Sequence, residues 1–240
     1  MALEACLLNI KIADETARYD DMFGFINNFI KLKKASDFSE EERSLIFQAY
    51  KQFICQKRSD YKIISNIEKK EINKGSNKLS IISSYKKLIC DEIDQYCQEI
   101  VVNIENLFLK SIINNEDKAF YMKLRADHLR YRTEIITKDS NPQLIVITEE
   151  AYKLAKEFSD ERLPMSHPLR LGIDLNYAIF FSTILKNKDK AFLIAKSAYE
   201  KGIEGKKQLH NTQVNEFEEI MNLLLEFINS STSNESLKNI

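Results

Sequence analysis

The chain has 240 residues, enough to bury a sizeable core, and is 44% hydrophobic and 30% charged. Five glycines and three prolines, with no tryptophan, exclude a β-rich fold of this length, which would need many turn residues, and leave an all-α protein. A formal net charge of −1 and a pI of 6.4 exclude a global basic field, so no nucleic-acid partner is expected and any anion site has to be a local cluster.

Apolar periodicity predicts nine helices, at about 4–16, 19–33, 40–73, 78–109, 116–137, 142–162, 168–186, 189–206 and 212–229. The first lies in MALEACLLNIKIADE, whose short apolar run is broken by Lys11 and Asp14. It has no cleavage site, and no stretch of the chain approaches the ~18 apolar residues of a membrane span, so no membrane partner is expected. Ser39 and Glu42 make a capping box ahead of the third helix, and Gly75 supplies its stop. The third and fourth helices are long, which fits an extended layered array of antiparallel helices. Cys90 and Cys97 share one face of the fourth helix and read as small packed side chains rather than a redox or zinc pair. Reduced thiols without an export signal fit the cytoplasm, with the nucleus as the other compartment. Pro142 and Pro168 suit first-turn positions. No linker is rich enough in Gly, Ser or Pro to divide residues 1–230 into two domains, and the polar residues 231–240 read as a disordered tail.

Enzymatic chemistry is hard to find. GIEGKK at 202–207 lacks the spacing of a phosphate-binding loop and follows no strand. His128, His167 and His210 lie in three segments without metal spacing, so no metal and no cofactor are expected.

Two basic faces stand out. In AYKQFICQKRSD, Lys51 and Arg58 are i and i+7; in KLRADHLRYRTE, Lys123 and Arg130 repeat that spacing, with Tyr131 following. Each pair lies on one helix face. Phe47, Tyr50, Ile54 and Tyr61 give the first pair an apolar border, and Asp127 is placed to pair with Lys123 or Arg130. By spacing alone these are surface salt-bridge rows of small energetic weight. If the two helices come together, the same cations make a trap for a phosphate dianion, which guanidinium groups bind bidentately.

Longer segments decide between these readings. ARYDDM at 17–22, SEEERSLIFQAYK at 39–51, RSDYKIISNIEKKEINKGSNK from Arg58, FYMKLRADHLRYRTE at 120–134 and HPLRLGIDLNYAIFF at 167–181 resemble, in order, the 14-3-3 proteins. The resemblance implies nine antiparallel helices forming a concave groove, and a non-enzymatic adaptor that clamps phosphoserine or phosphothreonine segments of client proteins. It places Lys51, Arg58, Arg130 and Tyr131 on the phosphate. Lys123, Leu175, Asn176, Ile179, Leu223 and Phe227 fall on the peptide groove. It further implies a dimer, with itself or a paralogue, through Arg18, Asp21, Tyr85 and Glu92, Arg18 reaching Glu92 of a second copy.

The departures from the family pattern are specific. Thr183 stands where the family has a glutamate and Phe227 where it has an asparagine. The groove tryptophan is missing, with Ser230 and Ser231 at that end. Leu88 replaces the lysine partner of Asp21, and Asp60 replaces a serine. The competing reading is a helical scaffold that binds unmodified peptides.

Overall fold

A computed structural model describes residues 2–33, 38–75, 77–111, 114–136 and 141–236. Among them are nine helices and no strand, the all-α architecture expected from the composition. The chain divides into two compact units, Met1–Ser111 and Ile112–Ile240.

The first unit holds α1 (Ala2–Glu15), α2 (Tyr19–Leu32), α3 (Glu40–Asn73) and α4 (Leu79–Asn103). Successive helices pack on one another. The signals predicted for α3 are present. The Glu42 backbone N–H donates to Ser39 Oγ at 3.2 Å and the Ser39 N–H donates to Glu42 Oε2 at 2.8 Å. At the other end Gly75 takes φ 62°, a left-handed conformation that costs a glycine little, and its N–H reaches the Ile72 carbonyl.

The core of this unit is aromatic. Phe23 stacks on Phe53 at 4.7 Å, and Tyr96 meets both rings edge-on. Phe47, Phe38 and Phe29 extend the cluster through Phe108, which lies 5.2 Å from Phe47. Phe108 reaches that place because α4 does not end as a regular helix. It runs through a π turn, Ile104–Phe108, into Leu109–Ser111. The uniform helix predicted over 78–109 therefore has a break in its winding, beside a hydrogen bond from Asn103 Nδ2 to the buried Tyr50 hydroxyl. Cys97 is buried in the same core and Cys90 is half-buried, both as packed side chains.

The second unit holds α5 (Asn115–Ile135), α6 (Pro142–Arg162), α7 (Pro168–Thr183), α8 (Lys188–Gly205) and α9 (Val214–Ser236). The starts of α5 to α8 are capped by side chains: Asn114, Asn141 and Asn187 each accept a backbone N–H of the first turn, and His167 Nδ1 accepts that of Leu169. The proline positions are as predicted. Helix α7 stops at Thr183, short of the expected 186, and Lys186 turns the chain at φ 58°.

Helix α7 packs on α5, α6, α8 and α9. Ions join it to α6: Lys156 Nζ lies 2.6 Å from Asp174 Oδ1, and Arg170 forms an ion pair with Asp160 at 2.7 Å, without hydrogen-bond alignment. Gly205 lets the end of α8 approach the loop that joins α6 to α7, since a Cβ there would stand 2.8 Å from the Ser166 backbone nitrogen. Helix α9 continues through Ser236, past the 229 at which the periodicity ends it and past the start of the predicted tail. Residues 237–240, and the expected end of the fifth helix at 137, lie outside the described residues.

Candidate functional site

The second unit carries one connected group of the candidate residues. On α5, Lys123, Asp127, Arg130 and Glu134 follow one another at helical spacing. Lys123 Nζ lies 2.6 Å from Asp127 Oδ2. Arg130 Nη1 pairs with Glu134. Asp127 does not bond Arg130 directly. The Tyr152 hydroxyl, from α6, stands between them, donating to Asp127 Oδ1 at 2.6 Å and accepting from Arg130 Nε at 3.0 Å. From α7, Asn176 Nδ2 donates to the same Asp127 Oδ1 at 2.8 Å. One buried carboxylate thus gathers residues of three helices.

The charges are set by this arrangement. Burial alone would raise the Asp127 carboxyl. The Lys123 and Arg130 charges, with the hydrogen bonds from Lys123 and Tyr152, outweigh it and hold Asp127 below the usual carboxylate range. Burial also works against the Arg130 charge, but the Tyr152 hydroxyl, Asp127 and Glu134 offset it and keep the guanidinium fully protonated. Tyr152 is pushed well above the ordinary phenol range, first by its own burial and then by Asp127. The guanidinium carbon of Arg130 sits 4.7 Å from the Tyr131 ring centroid. Nε and Nη1 are engaged, so among the described residues Nη2 is the part of this fork left to meet a further anion.

His128, next to Asp127, is fully buried. Its Nδ1 donates to the Leu124 carbonyl at 2.8 Å, its Nε2 has no partner among the described residues, and its ring meets Tyr131 edge-on. Burial depresses its pKa from an ordinary 6.5 to about 4. It is neutral near pH 7 and belongs to the packing.

The apolar residues expected along the groove divide by exposure. Leu175 is buried at 6%, whereas Leu223 is 43% exposed and Ile179 and Phe227 are half-buried. Gly172 on α7 lies between the basic row and α9, with Lys123 Cε and Ile220 Cδ1 within ordinary contact distance, 3.6 and 3.7 Å, of where a Cβ would stand. Thr183 is exposed and bonds its hydroxyl back to the Ile179 carbonyl. Ser230 and Ser231 both bond the Phe227 carbonyl.

In the first unit, α3 carries Lys51, which is exposed, and Arg58, which is half-buried. The adjacent Lys57 was not singled out by sequence. It bridges Asp20 of α2 at 2.8 Å and Glu92 of α4 at 3.1 Å, with its ammonium 5.4 Å from the Phe53 ring centroid. Glu92, expected to receive Arg18 of a second copy, accepts Lys57 of its own chain here. Arg18 pairs with Asp21. Asp60 accepts a hydrogen bond from the Gln56 amide at 2.9 Å, so its charge is not left bare. Tyr85 and Leu88 are exposed, as are Leu8, Ile12, Ile63, Ile67 and Ile81.

Sequence reasoning missed Tyr152 and Glu134. Glu134 had a local signal, its i,i+4 position relative to Arg130. Tyr152 had none, because it arrives from another helix. Among the described residues no group of three or more His, Cys, Asp or Glu could hold a metal ion, and no helix is long and apolar enough to cross a membrane.

Comparison with known proteins bears on this site. The family model described as 14-3-3 protein matches residues 9–231. The chain is 34% identical over 205 residues to 14-3-3 protein 10 of Solanum lycopersicum, covering 85% of this chain and 81% of that one. It is 32% identical over 231 residues to 14-3-3 protein 3 of Entamoeba histolytica, covering 96% and 95%.

Proposed function

Because the chain belongs to the 14-3-3 family, whose members are protein-binding adaptors rather than enzymes, we propose that it binds client proteins through segments phosphorylated on serine or threonine. Lys51, Arg58, Arg130 and Tyr131 take the phosphate. Lys123, Asn176 and the apolar residues Leu175, Ile179, Leu223 and Phe227 take the rest of the peptide. The observation that best supports this reading is the state of Arg130. Its guanidinium is buried, protonated and fixed on two sides by Tyr152 and Glu134, with the Tyr131 ring against its face and Nη2 in reserve. A cation held this way by groups of its own chain loses little freedom when an anion arrives.

Phe227 has no amide to offer a peptide backbone, so the apolar side of the groove grips by contact rather than by directed hydrogen bonds. The protein works in the cytoplasm or nucleus as a dimer, with itself or a paralogue, through the first unit. The exposed Leu8, Ile12, Ile81, Tyr85 and Leu88 support that assignment.

The test is a matched pair of peptides, phosphorylated and not, titrated against the wild type, Arg58→Ala and Arg130→Ala. Charge-assisted hydrogen bonds are worth roughly 1.5–3 kcal/mol each, so either substitution is expected to weaken the phosphopeptide by about tenfold or more. Equal binding of both peptides by the wild type would favour the unmodified-peptide scaffold and overturn this function.

A further inference from the structure

Three groups assigned above to client binding, Lys123, Asn176 and Arg130, share one organiser. Asp127 Oδ2 holds the Lys123 ammonium at 2.6 Å, and Asp127 Oδ1 holds the Asn176 amide nitrogen at 2.8 Å and the Tyr152 hydroxyl at 2.6 Å. The same hydroxyl then holds Arg130 Nε at 3.0 Å. Asp127 is 4% exposed and Tyr152 0%, so neither presents its polar atoms to solvent as a binding group. Tyr152 is itself fixed by packing: its ring stacks on Tyr177 at 5.5 Å with an interplanar angle of 15° and meets Phe180 at 5.8 Å.

We infer that Asp127 and Tyr152 are positioning residues. Tyr152 fixes the rotamer of Arg130 through Nε, and Asp127 fixes Tyr152, Lys123 and Asn176 together. This rests on the phosphate-binding reading of Arg130. A phenol suits the task because one hydroxyl donates to the carboxylate and accepts from the guanidinium at once. The contact uses Nε, the part of the guanidinium nearest the chain, and so orients the fork without occupying its outer nitrogen. Asn176 spends an N–H of its amide nitrogen on Asp127, which leaves its amide oxygen to serve as an acceptor for a client N–H.

Tyr152→Phe removes the hydroxyl and keeps the ring. The first measurement is the side-chain 15N–1H NMR signal of Arg130 Nε in the ligand-free protein, assigned by its loss in Arg130→Lys. In the wild type it is expected as a sharp peak protected from water exchange. In Tyr152→Phe it is expected to shift and broaden, whereas loss of ring packing elsewhere would not single it out. The second measurement is affinity for the matched peptides. The phosphopeptide is expected to weaken by about fivefold, the cost of immobilising one long side chain on binding instead of beforehand, with the unphosphorylated peptide unchanged.

An unaltered Arg130 signal in Tyr152→Phe would overturn the inference. So would an altered signal with undiminished phosphopeptide affinity. Equal binding of both peptides by the wild type would instead defeat the phosphate reading, and the NMR signal would still decide the positioning. Should Tyr152→Phe not fold, Asp127→Asn serves: the phenol then lacks its charged acceptor, and the same Arg130 signal is expected to shift.

Discussion

Lowering the pH should destabilise the second unit through a single histidine. His128 is fully buried with Nε2 unpartnered, and its pKa falls from an ordinary 6.5 to about 4. The unfolded chain therefore takes up this proton before the folded one does. Stability contributed by the neutral ring is complete above pH ~6.5, is lost as the pH falls through that value, and stops changing below about 4, where the folded state titrates too. A gap of about 2.5 units at ~1.4 kcal/mol per unit sets the full effect at about 3.5 kcal/mol, and about 2.5 kcal/mol of it has gone by about pH 4.5. That is a large share of the 5–15 kcal/mol typical of a domain. Asp174, whose buried carboxyl is raised, gains stability over part of the same range as the pH falls, so wild-type data alone would mix opposite trends. The assay is urea unfolding by far-UV circular dichroism between pH 7.5 and 4.5, comparing the wild type with His128→Phe. The substitution removes the titration and sacrifices one side-chain bond to a carbonyl of the same helix. The wild type is expected to lose about 2.5 kcal/mol more than the variant across that range. Parallel curves would show that the ring is hydrated in solution and refute the reasoning.

With Phe227 in the proposed groove, phosphopeptides with apolar residues flanking the phosphosite should outrank polar ones. Phe227→Asn should shift the ranking of a peptide panel toward polar flanks, and an unchanged ranking would count against Phe227 as a client contact. Sedimentation at micromolar concentration should report the mass of two chains, and Leu88→Glu, which sets a like charge against the expected position of Asp21, with Tyr85→Ser should lower it toward one. A wild-type mass of one chain would defeat the dimer.

What could be read from the sequence was what residues do to their near neighbours. The Ser39–Glu42 box, the Gly75 stop and the two first-turn prolines all act within a turn of backbone, and they appear as expected. The pairing of Lys123 with Asp127 was legible for the same reason. The bond between Arg130 and Tyr152 spans two helices, and nothing in the spacing announces it. Likewise Glu92 turned to Lys57, a neighbour on another helix that no pattern within α4 identifies. The length of α9 was misjudged because serine and asparagine have weak helix propensity, which is only a prior on what the chain does in context.

The π turn at Ile104–Phe108 has a consequence for how this chain tolerates change in length. A regular helix advances 100° per residue, so one surplus residue rotates everything beyond it by about that angle. Here the rotation turns the Phe108 ring onto Phe47 and Phe38. The turn behaves as an absorbed insertion, kept because its phase error puts a phenyl group where the unit has room for one. Deleting one residue inside it would restore ordinary winding and swing that ring away from its partners, emptying an aromatic site without altering the composition of the core.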